Sequence, residues 1–276
     1  MSEVVELTEL LVPGPATALA ALLGVPVPDL EGAEPLPLTW HWVYLLERPV
    51  PRDLGTDGHP VRNTVPTPPG PDRRRMWAGG SVCTLEPLRI GEHTTRRSRV
   101  LDTVEREGRS GHLTFVRVGH TLLQRGRVVL EERQDLVYRD RAGEIPAATT
   151  AGEPGEQLEV GPDEWALPVG PALLFQFSAL TYNAHRIHYD RGYARDHEGY
   201  PGLVVHGPLQ AVVMAEAARS RGATVRPGQV FDYRLTAPLF EGQGLVARAV
   251  EHDGGVRTTV RDDWGRSTAE GHLSGA

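Results

Sequence analysis

A short motif that occurs twice limits the folds open to this chain of 276 residues. Residues 87–92 and 238–243 both read Pro-Leu-x-x-Gly followed by Glu or Gln, and each copy comes just before a long strand-like run. Each half also contains one glycine turn farther along the chain, at 125–127 and at 264–266, and these two turns match each other more loosely. Because both features hold the same places in two similar series of strands, they indicate an internal duplication.

The first half is predicted to contain a short helix and four strands. An alanine- and leucine-rich run over 15–23 ends at Gly24, which is typical of a helix that stops at a glycine. Residues 38–47 are apolar and suit either a helix or a strand, and residues 49–75 read as loop. Runs rich in Val, Thr and Leu, separated by glycine turns, predict strands over 81–88, 94–104, 112–122 and 127–138.

The second half repeats this order after a linker. Residues 140–163 are rich in Gly, Pro, Ala and Glu, which indicates an interdomain linker, and 171–178 is an apolar approach to the next segment. Residues 207–219 predict a buried helix, because most of its surface is apolar. Strand-like runs follow over 230–240, 244–251, 256–262 and 267–273. The sequence therefore predicts an α+β chain of two units, 1–139 and 164–276, each with an antiparallel sheet wrapped around a helix.

Composition excludes several classes of protein. Cys83 is the only cysteine, which excludes an internal disulfide framework and a multi-cysteine zinc site. The chain has no lysine, so a lysine nucleophile, a Schiff base and a P-loop lysine are excluded. The net charge of −7 argues against a general nucleic-acid binder. No apolar run approaches the roughly 18 residues of a membrane span.

The compartment and the source are predicted from composition alone. Residues 1–10 carry acidic side chains and no basic segment, which is unlike a secretory signal, so a cytoplasmic location is expected. All 29 basic residues are arginine, and together with 23 prolines and 31 glycines they indicate a GC-rich bacterial genome.

The densest candidate for chemistry is the stretch 178–209, which holds four of the eleven histidines and ends in the predicted buried helix. Asn183, His185 and His188 lie within six residues of one another. A histidine can take and return a proton near neutral pH, and an asparagine carbonyl oxygen can hold a water molecule in place. Gly207 falls in the first turn of the helix, where free N–H groups and the helix dipole can stabilise an enolate-like oxyanion.

Plainer interpretations of the same residues stay open. The histidines can form a hydrogen-bonded structural element, and the Gly207 turn can be ordinary helix capping. His185 and His188 have a spacing that suits metal ligands, but no HExxH motif or cysteine partner accompanies them, so no metal is expected. The arginine runs 73–75 and 96–97 are either solvated faces or contacts to the phosphates of a nucleotide-carrying substrate.

These residues resemble the hydratase segment of the MaoC-like, R-specific enoyl-CoA hydratase superfamily. That segment reads Asp-x-Asn-Pro-aliphatic-His-x-Asp and is followed, after a gap, by His-Gly at the start of a helix. His188 and Asp190 match its His-x-Asp, and residues 206–207 match its His-Gly. Three positions stand where the general pattern has aspartate, asparagine and proline, namely Asn183, His185 and Arg186.

At these positions the sequence resembles one subgroup instead. This subgroup comprises the mesaconyl-C4-CoA (3-methylfumaryl-CoA) hydratases and the type 2 hydroxyacyl-thioester dehydratases. The resemblance extends over about residues 35–273. Motifs of the N-terminal half that share it are Trp-His-Trp at 40–42, Asp-Gly-His-Pro at 57–60, and the runs 74–80, 108–111 and 134–139.

The resemblance implies a double hot-dog fold with a degenerate N-terminal unit and a catalytic C-terminal unit. It implies a lyase that reversibly adds water to an α,β-unsaturated acyl thioester of coenzyme A or an acyl carrier protein, without metal or redox cofactor. His188 is then the main proton carrier, Asn183 orients the water and Gly207 binds the thioester oxygen. Further expected substrate-binding residues are Arg75, Trp77, Tyr182, His185, Arg186 and His206.

Two other functions are kept beside this one, a non-catalytic hot-dog protein that binds an acyl thioester and a hot-dog thioesterase. The replacement of aspartate by Asn183 favours the first, and the second would want a carboxylate that this stretch does not clearly offer. The acyl group is open. A mesaconyl or itaconyl chain needs a cation for its distal carboxylate, whereas a fatty-acyl chain needs an apolar tunnel. A monomer and a homodimer both suit a double hot-dog chain.

Overall fold

A computed structural model describes residues 4–30, 32, 34–61, 73–108, 111–140 and 156–275. The first half consists of β1 Val5–Leu10, α1 Pro13–Leu23, β2 Arg73–Thr84, β3 His93–Gly108, β4 Gly111–Gln124 and β5 Arg127–Asp140. The second half consists of β6 Glu164–Ala166, α2 Pro171–Leu180, α3 Gly207–Ser220, β7 Val230–Leu235, β8 Val246–His252, β9 Gly255–Arg261 and β10 Ser267–Ser274. Single helical turns lie at Trp40–Val43, Pro51–Asp53, Arg186–His188 and Tyr193–His197.

The ten strands form one antiparallel sheet in the order β1-β3-β4-β5-β2-β7-β10-β9-β8-β6. Read outward from the β2–β7 pair, the two halves follow the same order, with β2, β5, β4, β3 and β1 matching β7, β10, β9, β8 and β6. The repeated motif follows β2 in one half and β7 in the other, and it places Leu88 and Leu239 in the core. Gly91 and Gly242 both have positive φ, at 83° and 74°. The internal duplication is therefore confirmed.

Helix α3 is the central helix of the second half. Ten of its residues, from Leu209 to Ala218, are buried, and it packs against β2, β8, β9 and β10. Its one buried acid, Glu216, accepts hydrogen bonds from the Trp40 indole at 2.8 Å and from Arg219 at 2.7 Å. The sheet thus covers the apolar surface from which a buried helix is predicted, and the charge of Glu216 is paired with Arg219.

Several elements differ from the sequence-based prediction. Strand β2 begins at Arg73, in a segment that reads as loop, because its backbone pairs with both β5 and β7. The edge strands β1 and β6 were not predicted, and 171–180 is a helix. Residues 40–43 form a short 3-10 helix rather than a long element. In each case backbone pairing or packing outweighs local pattern.

The linker predicted over 140–163 falls largely on residues 141–155, which lie outside the described part of the chain. The limits of the two units therefore stay predictions. Within the described residues, no helix has both the length and the apolar character needed to cross a membrane.

Strand β2 packs closely against both of its neighbours, β5 and β7, at Gly80. A Cβ there would lie 2.6 Å from the Tyr233 hydroxyl and would overlap the carbonyl oxygen of Arg133. We expect Gly80→Ala to lower the free energy of unfolding by about 1–3 kcal/mol, because the neighbours must shift. Urea unfolding measures this change. Gly14→Ala is the control, since a Cβ at Gly14 meets nothing within 4 Å; equal stabilities for the two variants would contradict the prediction.

Candidate active site

A cavity of about 850 Å³ takes its walls from both halves of the chain. Seven of the nine residues expected at the site line it, namely Arg75, Trp77, Tyr182, Asn183, His185, His188 and Gly207. Arg186 and His206 do not line it. The remaining wall is largely apolar and includes Leu46, Phe175, Val205 and Leu235. This composition suits a small acyl group with a few fixed polar contacts.

His188 is held in one tautomer by the backbone. Its Nδ1 lies 2.7 Å from the carbonyl oxygen of Val204, an acceptor only, so Nδ1 carries the proton and donates it. Nε2 is then the nitrogen that can accept a proton. Burial lowers the pKa of His188 to about 4, and the hydrogen bond to Val204 opposes that shift only in part. His188 is therefore neutral at pH 7, the form in which Nε2 can accept a proton.

His206 lies behind His188 rather than in the cavity. The two rings stack at a centroid distance of 3.6 Å and an angle of 19°, and the Ser178 hydroxyl lies 2.9 Å from His206 Nε2. Burial lowers the pKa of His206 well below its usual value, and His188 and His185 lower it further. His206 is fully buried, and its contribution to substrate binding stays a prediction.

The loop that carries Asn183 is held by its own side chains. Asn183 Oδ1 accepts the backbone N–H of His185 at 3.0 Å, so the oxygen expected to hold water is already engaged. The Asp190 carboxylate accepts from Arg186 at 2.8 Å and from the Tyr193 N–H at 2.9 Å. Arg186 thus forms an ion pair that fixes the loop, and its contact with substrate stays a prediction.

Gly207 begins α3 at the cavity wall. Pro208 has no N–H, and within the described residues no acceptor takes the Gly207 N–H. A Cβ on Gly207 would overlap Leu235 and come within 3.4 Å of Trp77 Cβ. Only glycine therefore leaves this N–H open to a ligand oxygen at the positive end of the helix.

His59, which the sequence analysis did not place at the site, joins the cavity from the N-terminal half. Its Nδ1 lies 3.0 Å from Asp57 Oδ2, and its ring is 3.9 Å from that of His185. His185 in turn lies 5.4 Å from His188. Burial, then the charge of Arg75, then His188 lower the pKa of His59 well below its usual value. The Asp-Gly-His-Pro motif at 57–60 is the sequence feature that could have identified His59. No local pattern places this motif beside His185 and His188, which lie about 130 positions farther along the chain.

Gly58 brings the two loops together. It has φ +87°, and a Cβ there would overlap the carbonyl oxygen of Ala184. The Asp57 carbonyl accepts the Arg186 N–H at 2.9 Å, and the Thr56 carbonyl accepts from the Arg186 guanidinium at 3.0 Å. These contacts fix His59 relative to His185 and His188.

The donor atoms of Asp57, His59 and His185 all lie within 4.8 Å of one another. Two of the three residues are already joined by the 3.0 Å hydrogen bond, and the two imidazole rings face each other at 37°. This contact uses ring faces rather than converging lone pairs. The absence of a metal stays a prediction of the sequence analysis.

Two further predicted residues lie at the edges of the cavity. Trp77 donates its indole N–H to the Tyr233 hydroxyl at 3.1 Å and forms the wall beside Gly207. Tyr182 is half exposed and has φ +53°, an unusual conformation for a residue other than glycine. It lies where the cavity opens to solvent.

The chain is similar to known proteins over most of its length. Residues 39–241 match the family model of hydroxyacyl-thioester dehydratase type 2. Mesaconyl-C(4)-CoA hydratase of Chloroflexus aurantiacus is 46% identical over 230 residues, which cover 82% of this chain and 79% of that protein. These similarities agree with the resemblance found in residues 183–190 and in the N-terminal motifs.

Two solved structures from Mycobacterium tuberculosis share the fold. The structure of HtdX has a TM-score of 0.68 at 16% identity, covering 99% of this chain and 100% of that one. A protein described as having a double hot-dog fold has a TM-score of 0.55 at 16% identity, covering 99% and 94%. The double hot-dog fold is therefore confirmed.

The buried histidines predict acid sensitivity of the fold. Because the pKa of His188 falls from 6.5 to about 4 in the folded chain, the unfolded chain binds more protons between those values. Stability is therefore full above about pH 6.5 and declines toward pH 4, with a share from His188 of about 3 kcal/mol. Urea unfolding at pH 7, 5.5 and 4 should show a smaller decline for His188→Gln. The exposed His252→Gln should behave as wild type; identical declines for all three proteins would refute this.

The close contact between Gly58 and the carbonyl oxygen of Ala184 predicts that the position of the 182–188 loop affects catalysis. We expect Gly58→Ala to lower kcat/KM by roughly 10- to 100-fold, because the added methyl displaces the 182–188 loop. Gly91→Ala is the matched control, since Gly91 also has positive φ but open space around it. That variant should lose some stability and keep its activity. Equal kcat/KM for Gly58→Ala and wild type would show that the two loops are not coupled.

Proposed function

The chain belongs to the hydroxyacyl-thioester dehydratase type 2 family and is therefore a hydro-lyase of acyl thioesters, and on this premise we propose that His188 and Gly207 carry the reaction. The observation that supports this most directly is the His188–Val204 hydrogen bond, which leaves a neutral imidazole nitrogen as a base at the cavity. The open N–H of Gly207 lies on the same cavity wall.

In the hydration direction, the oxygen of water bonds to Cβ while its proton passes to His188 Nε2. The electron pair of the Cα–Cβ double bond moves toward the thioester oxygen, and the Gly207 N–H stabilises the resulting enolate. The imidazolium then returns its proton to Cα. One water is consumed, His188 is neutral again, and dehydration runs through the same steps in reverse.

Asn183 acts through its amide nitrogen in this proposal. Because Oδ1 accepts the His185 N–H, Nδ2 is the group left to donate to the oxygen of the added water or of the β-hydroxyl. His59, backed by Asp57, is the second imidazole that can carry a proton. A carboxylate behind an imidazole fixes its tautomer and stabilises its protonated form.

The substrate we propose is mesaconyl-C4-CoA or a close analogue, because a relative that is 46% identical is named for hydration of that compound. Coenzyme A is then the carrier. Action in the cytoplasm of a bacterium, and a monomeric or homodimeric state, stay predictions of the sequence analysis.

Purified protein with mesaconyl-C4-CoA and crotonyl-CoA tests the proposal. Loss of the conjugated-thioester absorbance reports hydration, and we expect His188→Ala to lower kcat by about 100-fold or more, since it removes the imidazole proposed to take the water proton. His252→Ala, an exposed histidine away from this cavity, is the control and should retain wild-type turnover. Wild-type turnover by His188→Ala would overturn the assignment of the base. Binding of both thioesters without hydration would instead favour a non-catalytic role.

A further inference from the structure

Arg75 is a cation in the wall of the catalytic cavity that has no carboxylate partner within the described residues. It stands on β2 directly opposite Tyr138 of β5, and its guanidinium donates a hydrogen bond to the Tyr138 hydroxyl. It is half-buried and lines the cavity together with His59 and His185. A partly buried charge without an opposite charge is costly, so an anionic group of a ligand is expected beside it.

Three other arginines at or near the site are paired with acids. Arg96, which lines the same cavity, lies 3.6 Å from the Glu47 carboxylate. Arg74 lies 2.8 Å from Glu198, and Arg186 lies 2.8 Å from Asp190. These cations are neutralised within the protein, whereas the charge of Arg75 is directed at neutral groups.

The position of Arg75 fits a group on the reacting carbon. Its neighbour two residues along β2, Trp77, lies against Gly207, where the thioester oxygen would bind. Two residues along a strand rise about 6.6 Å, and three C–C bonds span about 4 Å. A four-carbon acyl group with its thioester at Gly207 therefore ends within hydrogen-bond reach of Arg75.

His59 and His185 lie in the same cavity wall as Arg75. After burial, the charge of Arg75 is the next cause that lowers the pKa of His59, and it also lowers that of His185. His185 is the ring next to the His188 base, at 5.4 Å. Because His59 and His185 line the cavity together with Arg75, we place the guanidinium on the histidine side of the cavity.

We infer that Arg75 binds a carboxylate carried on the β-carbon of the acyl group, so that the enzyme selects monothioesters of unsaturated dicarboxylic acids. The inference rests on the proposed function and names its substrate class. An arginine fork matches a carboxylate with two hydrogen bonds, and this pairing compensates the negative charge brought close to the forming enolate.

The test compares mesaconyl-C4-CoA with crotonyl-CoA, which has the same β-methyl group but no carboxylate. We expect Arg75→Gln to lower kcat/KM for mesaconyl-C4-CoA by about 100-fold and to change that for crotonyl-CoA by less than about 3-fold. Arg75→Lys should recover part of the loss, because it restores the charge without the fork. Turnover of crotonyl-CoA also shows that the variants are folded.

Arg96→Gln is the matched control, since it removes a cation from the same cavity that already has an acid partner. It should leave the ratio of the two kcat/KM values unchanged. Loss of the preference in Arg96→Gln but not in Arg75→Gln would overturn the assignment, and so would equal effects of Arg75→Gln on both substrates. In either case hydration by the wild type would leave the proposed function standing.

A binding measurement decides the question even if the wild type hydrates neither thioester, a result that would count against the proposed function itself. Succinyl-CoA carries a carboxylate on its β-carbon, butyryl-CoA does not, and neither has a double bond to hydrate. Calorimetry should show tighter binding of succinyl-CoA by the wild type, and Arg75→Gln should abolish this difference. No difference for the wild type would refute recognition of a carboxylate.

Discussion

The pairing of β2 with β7 is the interaction on which the rest of the molecule depends. Residues 79–83 hydrogen-bond to 230–234 and turn two five-stranded units into one sheet. Two glycines, at 79 and 80, let the backbones approach where a side chain would meet Tyr233. Toward its N-terminus the same strand lines the cavity with Trp77 and Arg75. The β2–β7 pair therefore brings residues of the N-terminal half to the helix start of the C-terminal half, where we propose that the reaction takes place.

Burial gives the site its electrostatic character. His59, His185, His188 and His206 are close together, and desolvation is the largest cause of the lowered pKa of each. Neutral imidazoles are what a reaction that begins with proton abstraction needs, and a buried cluster of them stays neutral without a metal or a carboxylate in contact with each. The positive charge of Arg75 lowers the pKa values of His59 and His185 further.

Local sequence was informative where a pattern has a local physical cause. Gly24 ends α1 with φ 67°, and the apolar surface of 207–219 became a buried helix, as its composition requires. Local pattern was wrong for residues 73–75, since their strand conformation comes from partners far along the chain. The atom of Asn183 proposed to hold the water also differs from the expected one, because only the folded loop shows that its Oδ1 accepts the His185 N–H.

By itself the sequence determined the duplication, the α+β class, the stretch 178–209 that holds the proposed base, and the glycine at the helix start, because each can be recognised from short runs of neighbouring residues. Only the tertiary structure decided that His59 and Asp57 join His185 and that His206 stacks behind His188. It also decided that Arg75, among the described residues, has no acid partner, whereas Arg74 and Arg96 have one. These relations link segments more than 100 residues apart or depend on burial. Both are properties of packing, which no local pattern encodes.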